Sequence, residues 1–385
     1  ESTRSVCVAF SGGLDSTVLL TALARMRDAL GRELRAVHID HQLQSSSARW
    51  AEHCVRVAEQ LQIPIENVRV QVALGAEGIE SAARTARYDA LRLKIAPREA
   101  LLTAHHADDQ LETMLLALAR GAGARGLSGS PAVQAFGRGW LVRPLLEFTR
   151  AELEAWARTE QLSWIEDPTN ASTSFDRNFL RHDVLPKLRE RWPSIARASV
   201  RSTMHLHEAS ELLEELAQID LEQMRIGPCV RVEELARLSQ ARRRNVLRSW
   251  LRSHGVRAPS TRRLAALEHD MLAAQADRVP RVAVDGAEIR RHRNLLYCTA
   301  MLPRIPDEPF EWSTHTALVL PNGLGTLAWS HVQGEGLSAA RLPDSLTVTF
   351  RRGGEMLRAA GESHHRSLKK RLQDANVLPW WRGRL

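Results

Sequence analysis

The residues best suited to chemistry stand near the start of the chain, in the stretch Ser11-Gly12-Gly13-Leu14-Asp15-Ser16. An apolar, β-branched run before it predicts a buried strand, and an apolar helix is predicted to follow. Glycines let the backbone approach an anion, and the free N–H groups and dipole of a helix N-terminus favour negative charge. The stretch lacks the lysine of a Walker loop. It predicts a phosphate-binding turn, with an ordinary glycine turn as the alternative.

Histidine and acidic side chains follow two further predicted strands. His38 lies near the end of the second strand, and His105 follows the fourth. Asp108, Asp109 and Glu112 then share the first turn of a predicted helix. Acidic residues in that turn also stabilise a helix electrostatically, which is the alternative interpretation. The paired histidines and doubled aspartate at the carboxyl end of a strand favour a functional role.

Two other patterns carry no site. Residues 121–126 spell G-x-G-x-x-G, but they follow a helix rather than a strand. We therefore reject a dinucleotide site there and expect a helix-terminating loop beside the active site. The four cysteines lie far apart and form no C-x-x-C pair. Their spacing argues against a zinc site, an iron–sulfur cluster and a disulfide framework.

Alternating strands and helices must position these residues. Strands are predicted at 6–10, 33–40, 67–72 and 100–104, and helices at 47–61, 79–95 and 107–120. This alternation predicts right-handed βαβ crossovers and a parallel sheet covered on both faces. Ligands of such sheets bind at the carboxyl ends of the strands, where the residues above fall. On the predicted helix over 79–95, Arg84 and Tyr88 are four residues apart, with Arg87 adjacent.

The rest of the chain is predicted to be mainly helical and then β-containing. Thr149 and Glu152 form a capping box. Helices are predicted at 192–224, 233–253 and 262–274, and strands at 282–284, 294–298 and 346–350, with a Pro-rich linker at 302–309. We therefore predict an α/β parallel doubly wound domain over 1–190, a mainly helical domain over 191–300 and a small α+β domain over 310–385.

Charge and hydropathy narrow the choice of partners. The net charge is +8, which suits a polyanion, with an indifferent basic surface as the alternative. The run 242–244 is all arginine, and such a run is more often a solvated face than a binding patch. No apolar run approaches the ~20 residues of a membrane helix, and no signal peptide precedes the first strand. We expect a cytoplasmic protein with no membrane partner.

Six blocks of residues resemble one family. The turn at 11–16 resembles the loop of the PP-loop ATP pyrophosphatases (the adenine nucleotide alpha hydrolase-like fold), which split ATP between its α- and β-phosphates. Further blocks narrow the resemblance to the tRNA(Ile)-lysidine synthetase family, and they lie at 38–43, 83–88, 105–126, 177–181 and, for its last domain, 351–380. Members usually continue for some tens of residues after the last block. We therefore expect the final strand pair of the last domain to be missing and its grip on tRNA to be incomplete.

The resemblance implies a ligase. With ATP and Mg²⁺ it would join free L-lysine to C2 of the wobble cytidine in a tRNA(Ile) that reads AUA, through an adenylated cytidine, and release pyrophosphate and AMP. The implied ATP site is the turn at 11–16 with His38 and His105. Asp15 would lie close to the triphosphate and be available to Mg²⁺, which would be held chiefly by ATP. Arg87 would hold the α-phosphate, and Asp109 would take a proton from the lysine amine and orient it.

Four residues are implied as tRNA contacts. Asn178 and Arg181 would contact the anticodon arm or the nucleotide, with structural capping equally open. Lys369 and Lys370 supply two of the only four lysines in the chain, and they lie near the aromatic pair Trp380-Trp381. They would form a surface for the acceptor stem, unless they merely solvate a helix.

Three other functions stay in view. A PP-loop tRNA 2-thiolation enzyme needs thiolate or iron–sulfur cysteines at the nucleotide, and only Cys7 lies near. An amidating PP-loop ligase acts on a small substrate, whereas a basic helical extension suits RNA. A non-catalytic tRNA-binding protein would have no use for intact Asp15, Arg87 and Asp109. Monomer and homodimer are both open.

Overall fold

The computed structural model describes residues 3–42, 47–72, 79–167, 176–274, 278–333, 337–358 and 363–384. The chain divides into two compact units, Glu1–Leu212 and Leu213–Leu385, which we call unit 1 and unit 2. The domain boundaries expected from the sequence stay predictions.

Unit 1 is built on a six-stranded sheet. Its strands are β1 (Ser5–Ala9), β2 (Glu33–Asp40), β3 (Ile65–Arg69), β4 (Glu99–Leu102), β5 (Val133–Phe136) and β6 (Gly139–Val142). Their order is β3-β2-β1-β4-β6-β5, parallel except for β5. The strand that follows β1 in the chain, β2, lies on one side of β1, and β4 lies on the other. At such a switch in strand order a crevice opens at the carboxyl ends of the two strands, here β1 and β4.

Helices cover both faces of this sheet. They are α1 (Leu14–Arg25), α2 (Arg27–Leu30), α3 (Ser47–Gln60), α4 (Ile79–Lys94), α5 (Ala107–Ala119), α6 (Ala124–Leu127), α7 (Arg150–Thr159), α8 (Asp176–Phe179), a π-helical turn Leu180–Val184, α9 (Leu185–Arg191) and the start of α10 (Ile195–Met224). Alternate residues of β1 enter different cores: Val6 and Val8 pack in one apolar cluster, Cys7 in the other. A strand buried on both faces confirms the doubly wound α/β fold.

Two expected strand boundaries in unit 1 are wrong, and one hairpin was not expected. The third strand occupies Ile65–Arg69 rather than 67–72, because its neighbour β2 ends at Asp40, which pairs with Arg69. The fourth strand ends at Leu102 rather than 104, since β6 ends at its partner Val142. The hairpin of β5 and β6 was not expected. Its strands have four residues each, too few to show a clear alternation.

Unit 2 begins within α10 and continues with a second, antiparallel sheet. Its elements are β7 (Arg225–Ile226), β8 (Cys229–Arg231), α11 (Val232–Arg237), α12 (Gln240–Ser253), α13 (Thr261–Ala273), β9 (Arg281–Val284), β10 (Ala287–His292) and β11 (Leu295–Ala300). The strands are ordered β7-β8-β11-β10-β9. The single helix expected over 233–253 is wrong. Leu238 and Ser239 have extended backbone angles, so α11 ends and α12 begins there.

Short paired strands complete unit 2. They are β12 (Phe310–Ser313), β13 (Leu318–Leu320), β14 (Gly325–Leu327), β15 (Ser345–Val348), β16 (Met356–Leu357) and β17 (Arg366–Ser367), followed by α14 (Leu368–Asp374). Trp380 is only 5% exposed and its ring lies 5.0 Å from that of Tyr297. The Trp380 ring is therefore not exposed to a partner, whereas Trp381 is 41% exposed. The RNA-binding surface expected around Lys369 and Lys370 stays a prediction.

Candidate active site

Hydroxyl groups shape the turn that follows β1. Ser16 Oγ accepts a hydrogen bond from Ser11 N at 3.2 Å and donates one to the Gly13 carbonyl at 3.1 Å. Gly12 has φ +81°, and a Cβ there would meet Cys54 Sγ at 2.8 Å, so glycine is required. Within the described residues, no side chain caps the N-terminus of α1. Its first N–H groups, at Leu14 and beyond, therefore remain available to an anion.

His38 is hydrogen-bonded to the backbone just before this turn. Its ring is buried, with Nδ1 2.9 Å from the Phe10 carbonyl and 3.4 Å from Cys54 Sγ. Burial lowers the pKa of His38, so the ring is neutral at pH 7 and Nδ1–H donates to Phe10. His38 thus fixes the backbone one residue before the turn.

A second histidine gathers three carboxylates where β4 passes into α5. The side chain of His106 is 2% exposed, and its nitrogens lie 3.6 Å from Asp15 Oδ2, 3.6 Å from Asp108 Oδ2 and 3.5 Å from Asp109 Oδ2. Burial opposes its charge, but Asp108, Asp15 and Asp109 prevail and raise the pKa of His106 to about 10. The imidazolium therefore joins the start of α1 to the start of α5.

Arginines from α7 and α9 bind two carboxylates of this cluster. Asp108 accepts a hydrogen bond from the backbone N–H of Arg150 at 2.7 Å and another from Arg189 Nη2 at 2.6 Å. Burial works against ionisation of Asp108, but His106 and these two donors hold its pKa below the usual range. Arg150 Nη1 also lies 3.3 Å from Asp15 Oδ2.

Arg181 enters the site from the π-helical turn. Its Nε and Nη2 bind the two oxygens of Glu112 at 2.8 and 3.0 Å, and Nη2 lies 3.7 Å from Asp109 Oδ1. Glu112 is 1% exposed, and burial raises its pKa in spite of Arg181. Asp109 is also desolvated, but the charge of His106 holds its pKa below the usual range.

A group of cations stands on the other side of β4. His105 Nδ1 lies 2.9 Å from Thr103 Oγ1, and burial, with the charges of Arg143, Arg84 and Arg87, lowers its pKa to about 4. His105 is therefore neutral at pH 7. The guanidinium of Arg87 lies 5.7 Å from the ring centroid of Tyr88.

Among the described residues at this edge, a carboxylate oxygen of Asp15 lacks a hydrogen-bond partner and the guanidinium of Arg87 lacks a carboxylate partner. Asp15 Oδ1 is buried and has no hydrogen-bond partner among the described residues. Among the residues that the structure describes, no carboxylate lies within ion-pair distance of Arg87, whose pKa is lowered by burial. Buried charges are normally paired, so an unpartnered carboxylate oxygen and guanidinium are suited to a cation and an anion brought by substrate.

The structure thus brings most expected site residues to one edge of the sheet. Sequence reasoning did not assign roles to His106, Arg150 and Arg189. The His105-His106 doublet was the visible signal for the first, whereas the two arginines meet Asp108 only through folding. Asn178 is buried in α8, and Lys369 and Lys370 are exposed on α14 in unit 2.

Comparison with known proteins decides the family. A PP-loop domain model matches residues 1–188, a TilS substrate binding domain model matches 231–297, and a TilS substrate C-terminal domain model matches 346–385. The tRNA(Ile)-lysidine synthase of Coxiella burnetii is 40% identical over 386 residues, covering 100% of this chain and 86% of that protein. The chain belongs to the tRNA(Ile)-lysidine synthase family. The resemblance seen in the sequence is confirmed.

Other similarities agree with this family or are too weak to use. The tRNA(Ile)-lysidine synthase of Alkalilimnicola ehrlichii is 44% identical, covering 98% of this chain and 86% of that protein. The solved U34-tRNA thiolase NcsA from Methanococcus maripaludis with its [4Fe-4S] cluster is 17% identical, with a TM-score of 0.45, over 54% of this chain and 73% of that chain. A likeness at that level carries no functional argument. Among the described residues, no helix could cross a bilayer, and no three or more histidine, cysteine or acidic side chains are arranged to hold a metal ion.

Proposed function

We propose that the turn at 11–16 and the cluster of Asp15, His106, Asp108 and Asp109 in unit 1 perform the reaction of the tRNA(Ile)-lysidine synthase family, which forms lysidine in tRNA with the use of ATP. The reactants would be ATP, free L-lysine and the wobble cytidine of tRNA(Ile), and the products lysidine, AMP and pyrophosphate. The observation that carries this assignment is the buried Asp15 oxygen beside the N-terminus of α1, because among the described residues neither that oxygen has a hydrogen-bond partner nor that helix end a side-chain cap.

In the first step, the cytidine O2 attacks the α-phosphorus of ATP and pyrophosphate leaves. The turn at 11–16 and the first N–H groups of α1 would hold the β- and γ-phosphates. Arg87, which has no carboxylate partner in the described chain, would place its planar guanidinium on the α-phosphate as charge develops. His38 would keep the turn in the required shape through Phe10.

A Mg²⁺ bound to the triphosphate would supply further neutralisation of the leaving pyrophosphate. The residue that fits it is Asp15, because Oδ1 is buried and unpartnered while Oδ2 faces Arg150 and His106. Carboxylate oxygens are preferred Mg²⁺ ligands, and ATP phosphates would supply the others.

In the second step, the lysine ε-amine attacks C2 of the adenylated cytidine, AMP leaves and the amine loses a proton. Asp109 would bind and orient the amine through the oxygen that faces Arg181 at 3.7 Å. Because His106 holds the pKa of Asp109 low, this carboxylate is ionised at pH 7 and would bind lysine in its ammonium form, which loses one proton to solvent to become the attacking amine. After the C2–N bond forms, the nitrogen would give its extra proton to Asp109, which passes it to solvent. Orientation is therefore its larger contribution, and its contribution as a base the smaller.

The thiolation alternative conflicts with the state of the cysteines. Cys7 and Cys54 are the cysteines of unit 1, and both are fully buried. Burial raises the pKa of each thiol to about 12, so both are neutral at pH 7. A thiol of this kind is neither a nucleophile nor a ready cluster ligand.

The partners follow from the reaction. Its substrates are tRNA, ATP and lysine, which occur together in the cytoplasm, so we place the enzyme there. Asn178 and Arg181 would act on the anticodon side, and Lys369 and Lys370 on the acceptor stem. Light scattering of the purified protein would decide between a monomer and a homodimer.

The test is product analysis. Purified protein is incubated with unmodified tRNA(Ile), ATP, Mg²⁺ and isotope-labelled lysine, and the nucleosides are identified by mass spectrometry. We expect labelled lysidine in place of one cytidine, with one pyrophosphate released per lysidine. Pyrophosphate release without lysine incorporation, or sulfur incorporation when a sulfur donor is added, would contradict the proposal. Omission of tRNA is the matched control.

A further inference from the structure

A groove in unit 1 is lined by arginines that have no role in the proposed reaction. It lies between α4 and the hairpin of β5 and β6, and it encloses about 310 Å³. Its lining side chains include Arg84, Tyr88, Arg92, Gln134 and Arg143.

Two arginines and a tyrosine of this groove are regularly spaced along α4. Arg84, Tyr88 and Arg92 are spaced by four residues, so they form one stripe along α4. The guanidinium of Arg84 lies 5.1 Å from the centroid of Tyr88, and that of Arg92 lies 5.1 Å from the centroid of Phe136. Stacking on these rings fixes the direction of both guanidinium groups.

Arg143 closes the groove from the hairpin side. It is only 5% exposed, and its Nη1 donates to the Pro131 carbonyl at 2.6 Å. Its Nε is buried without a hydrogen-bond partner among the described residues. Among the described residues, neither Arg143 nor Arg84 has a carboxylate within ion-pair distance, whereas Arg92 pairs with Asp89. A buried, unpartnered donor facing a cationic groove calls for an anion.

Two arginines of the groove are near enough to His105 to influence its charge. The charges of Arg143 and Arg84 both act on His105, at the carboxyl end of β4. From Arg84 to Arg92 the stripe runs two further helical turns, about 12 Å at 1.5 Å per residue. That length exceeds one phosphate and suits successive phosphates of a polynucleotide. The turn at 11–16 already provides N–H groups for a triphosphate.

The other large cavity of unit 1 shows that cavities here are not generally basic. It encloses about 800 Å³ beside α3, and its lining mixes Asp40 and Glu52 with Arg56 and Arg69. Opposite charges compensate there, so that cavity has no preference for an anion.

We propose that the groove lined by Arg84, Arg92 and Arg143 binds backbone phosphates of the tRNA next to the wobble cytidine. This inference rests on the proposed function and assigns part of the substrate to a surface that the chemistry leaves free. The groove contacts phosphates alone, so it contributes affinity and position without reading sequence.

The test uses the double variant Arg84→Gln/Arg92→Gln in the full chain. We expect about 10-fold weaker binding of full-length tRNA(Ile). We also expect a log–log salt slope lower by about 0.7 to 0.9 per lost contact. The KM for ATP in pyrophosphate release should stay at the wild-type value. Arg84→Lys/Arg92→Lys keeps the charge and should retain most of the slope.

Controls separate this inference from folding and from the proposed function. Arg32→Gln removes an exposed charge from the loop before β2 and should change neither affinity nor slope. If the double variant melts early, Arg92→Gln alone carries the test, because its side chain is 54% exposed. Wild-type tRNA affinity and slope in the folded variant would overturn the inference, and so would a raised KM for ATP with unchanged tRNA binding. Absence of lysidine formation by the wild type would instead overturn the proposed function.

Discussion

Among the places where arginines meet buried carboxylates in this molecule, α12 of unit 2 and the sheet edge of unit 1 give different results. On α12 in unit 2, Arg242 binds both oxygens of Asp220, which is fully buried. Arg243 and Arg244 each bind one oxygen of Glu268, at 2.7 and 2.9 Å. Each oxygen of the two carboxylates has a donor. The sequence favoured a solvated face for this triplet, and its pairing shows a structural role instead.

At the edge of the sheet in unit 1, the pairing is incomplete. Asp15 Oδ1 and Arg143 Nε have no partner among the described residues, and Arg87 has no carboxylate there. Folded proteins rarely leave buried polar groups unpaired. The proposed function assigns the open positions at this edge to substrate. A run of arginines is thus weak evidence for a site, and an unpaired buried charge is stronger evidence.

Apart from the Asp15 variant described last, the largest loss of activity is expected for Asp109→Asn, at the incompletely paired edge of unit 1. If Asp109 mainly orients lysine, the variant should still form adenylated tRNA, with lysine transfer reduced by about 100-fold or more. Label from ATP carrying the isotope in its α-phosphate would accumulate on tRNA, and label from lysine would not. Equal loss of both steps would assign Asp109 to the nucleotide or its Mg²⁺.

For Glu268→Gln in unit 2 we expect a loss of stability without a loss of activity. The amide leaves Arg243 and Arg244 without their carboxylate, and breaking a buried pair destabilises a protein more than the pair itself stabilises it. The melting temperature should fall by a few degrees. Lysidine formation per folded molecule should be unchanged. A folded variant that lost activity would break the comparison, because it would place Glu268 in the reaction.

His105 gives a smaller effect that depends on pH. Its pKa in the folded chain is about 4, against an ordinary 6.5, so between these values the unfolded chain binds a proton that the folded chain does not. The stability contribution of His105 is therefore complete above pH 6.5 and is lost as pH falls towards 4. The melting temperature of His105→Gln should fall less steeply than that of the wild type over this range. Parallel curves would show that burial of His105 has no such consequence.

The smallest effect concerns the exposed lysines of α14. Replacement of Lys369 and Lys370 by alanine should weaken binding of full-length tRNA several-fold and lower its salt slope by about 0.7 to 0.9 per contact. An isolated anticodon stem-loop should bind the variant and the wild type alike. Unchanged affinity for full-length tRNA would show that the two lysines only solvate the helix, and equal weakening for the stem-loop would move their contact to the anticodon side.

The sequence predicted the parts of the fold that local pattern controls. The limits of β2 agree with the structure, and the Thr149–Glu152 capping box forms, with Glu152 N donating to Thr149 Oγ1 at 3.3 Å. The end of β3 was misplaced because Val70 and Val72 continue the apolar alternation, while pairing depends on where β2 ends. No pattern within one strand contains that information.

The same limit applies to the site. The turn at 11–16 could be read from the chain, since its chemistry is local. The central position of His106 depends on Asp15, which is far away in sequence and reaches the ring only because β1 and β4 are neighbours. Arg150 and Arg189 likewise converge on Asp108 through tertiary packing. Convergence of this kind is a property of topology, so it could not be predicted from spacing.

The measurement that tests the account most directly is pyrophosphate release by Asp15→Asn, with tRNA(Ile), ATP and Mg²⁺ present. The amide preserves the size of the side chain but removes its charge, and Oδ1 of Asp15 is a buried oxygen without a hydrogen-bond partner among the described residues. The account predicts release reduced by about 100- to 1000-fold, the range for loss of one electrostatic contact to a reacting group. Circular dichroism should show a folded protein, and Glu268→Gln in parallel should release pyrophosphate normally. Normal release by folded Asp15→Asn would contradict the claim that the unpaired edge of unit 1 is the catalytic site.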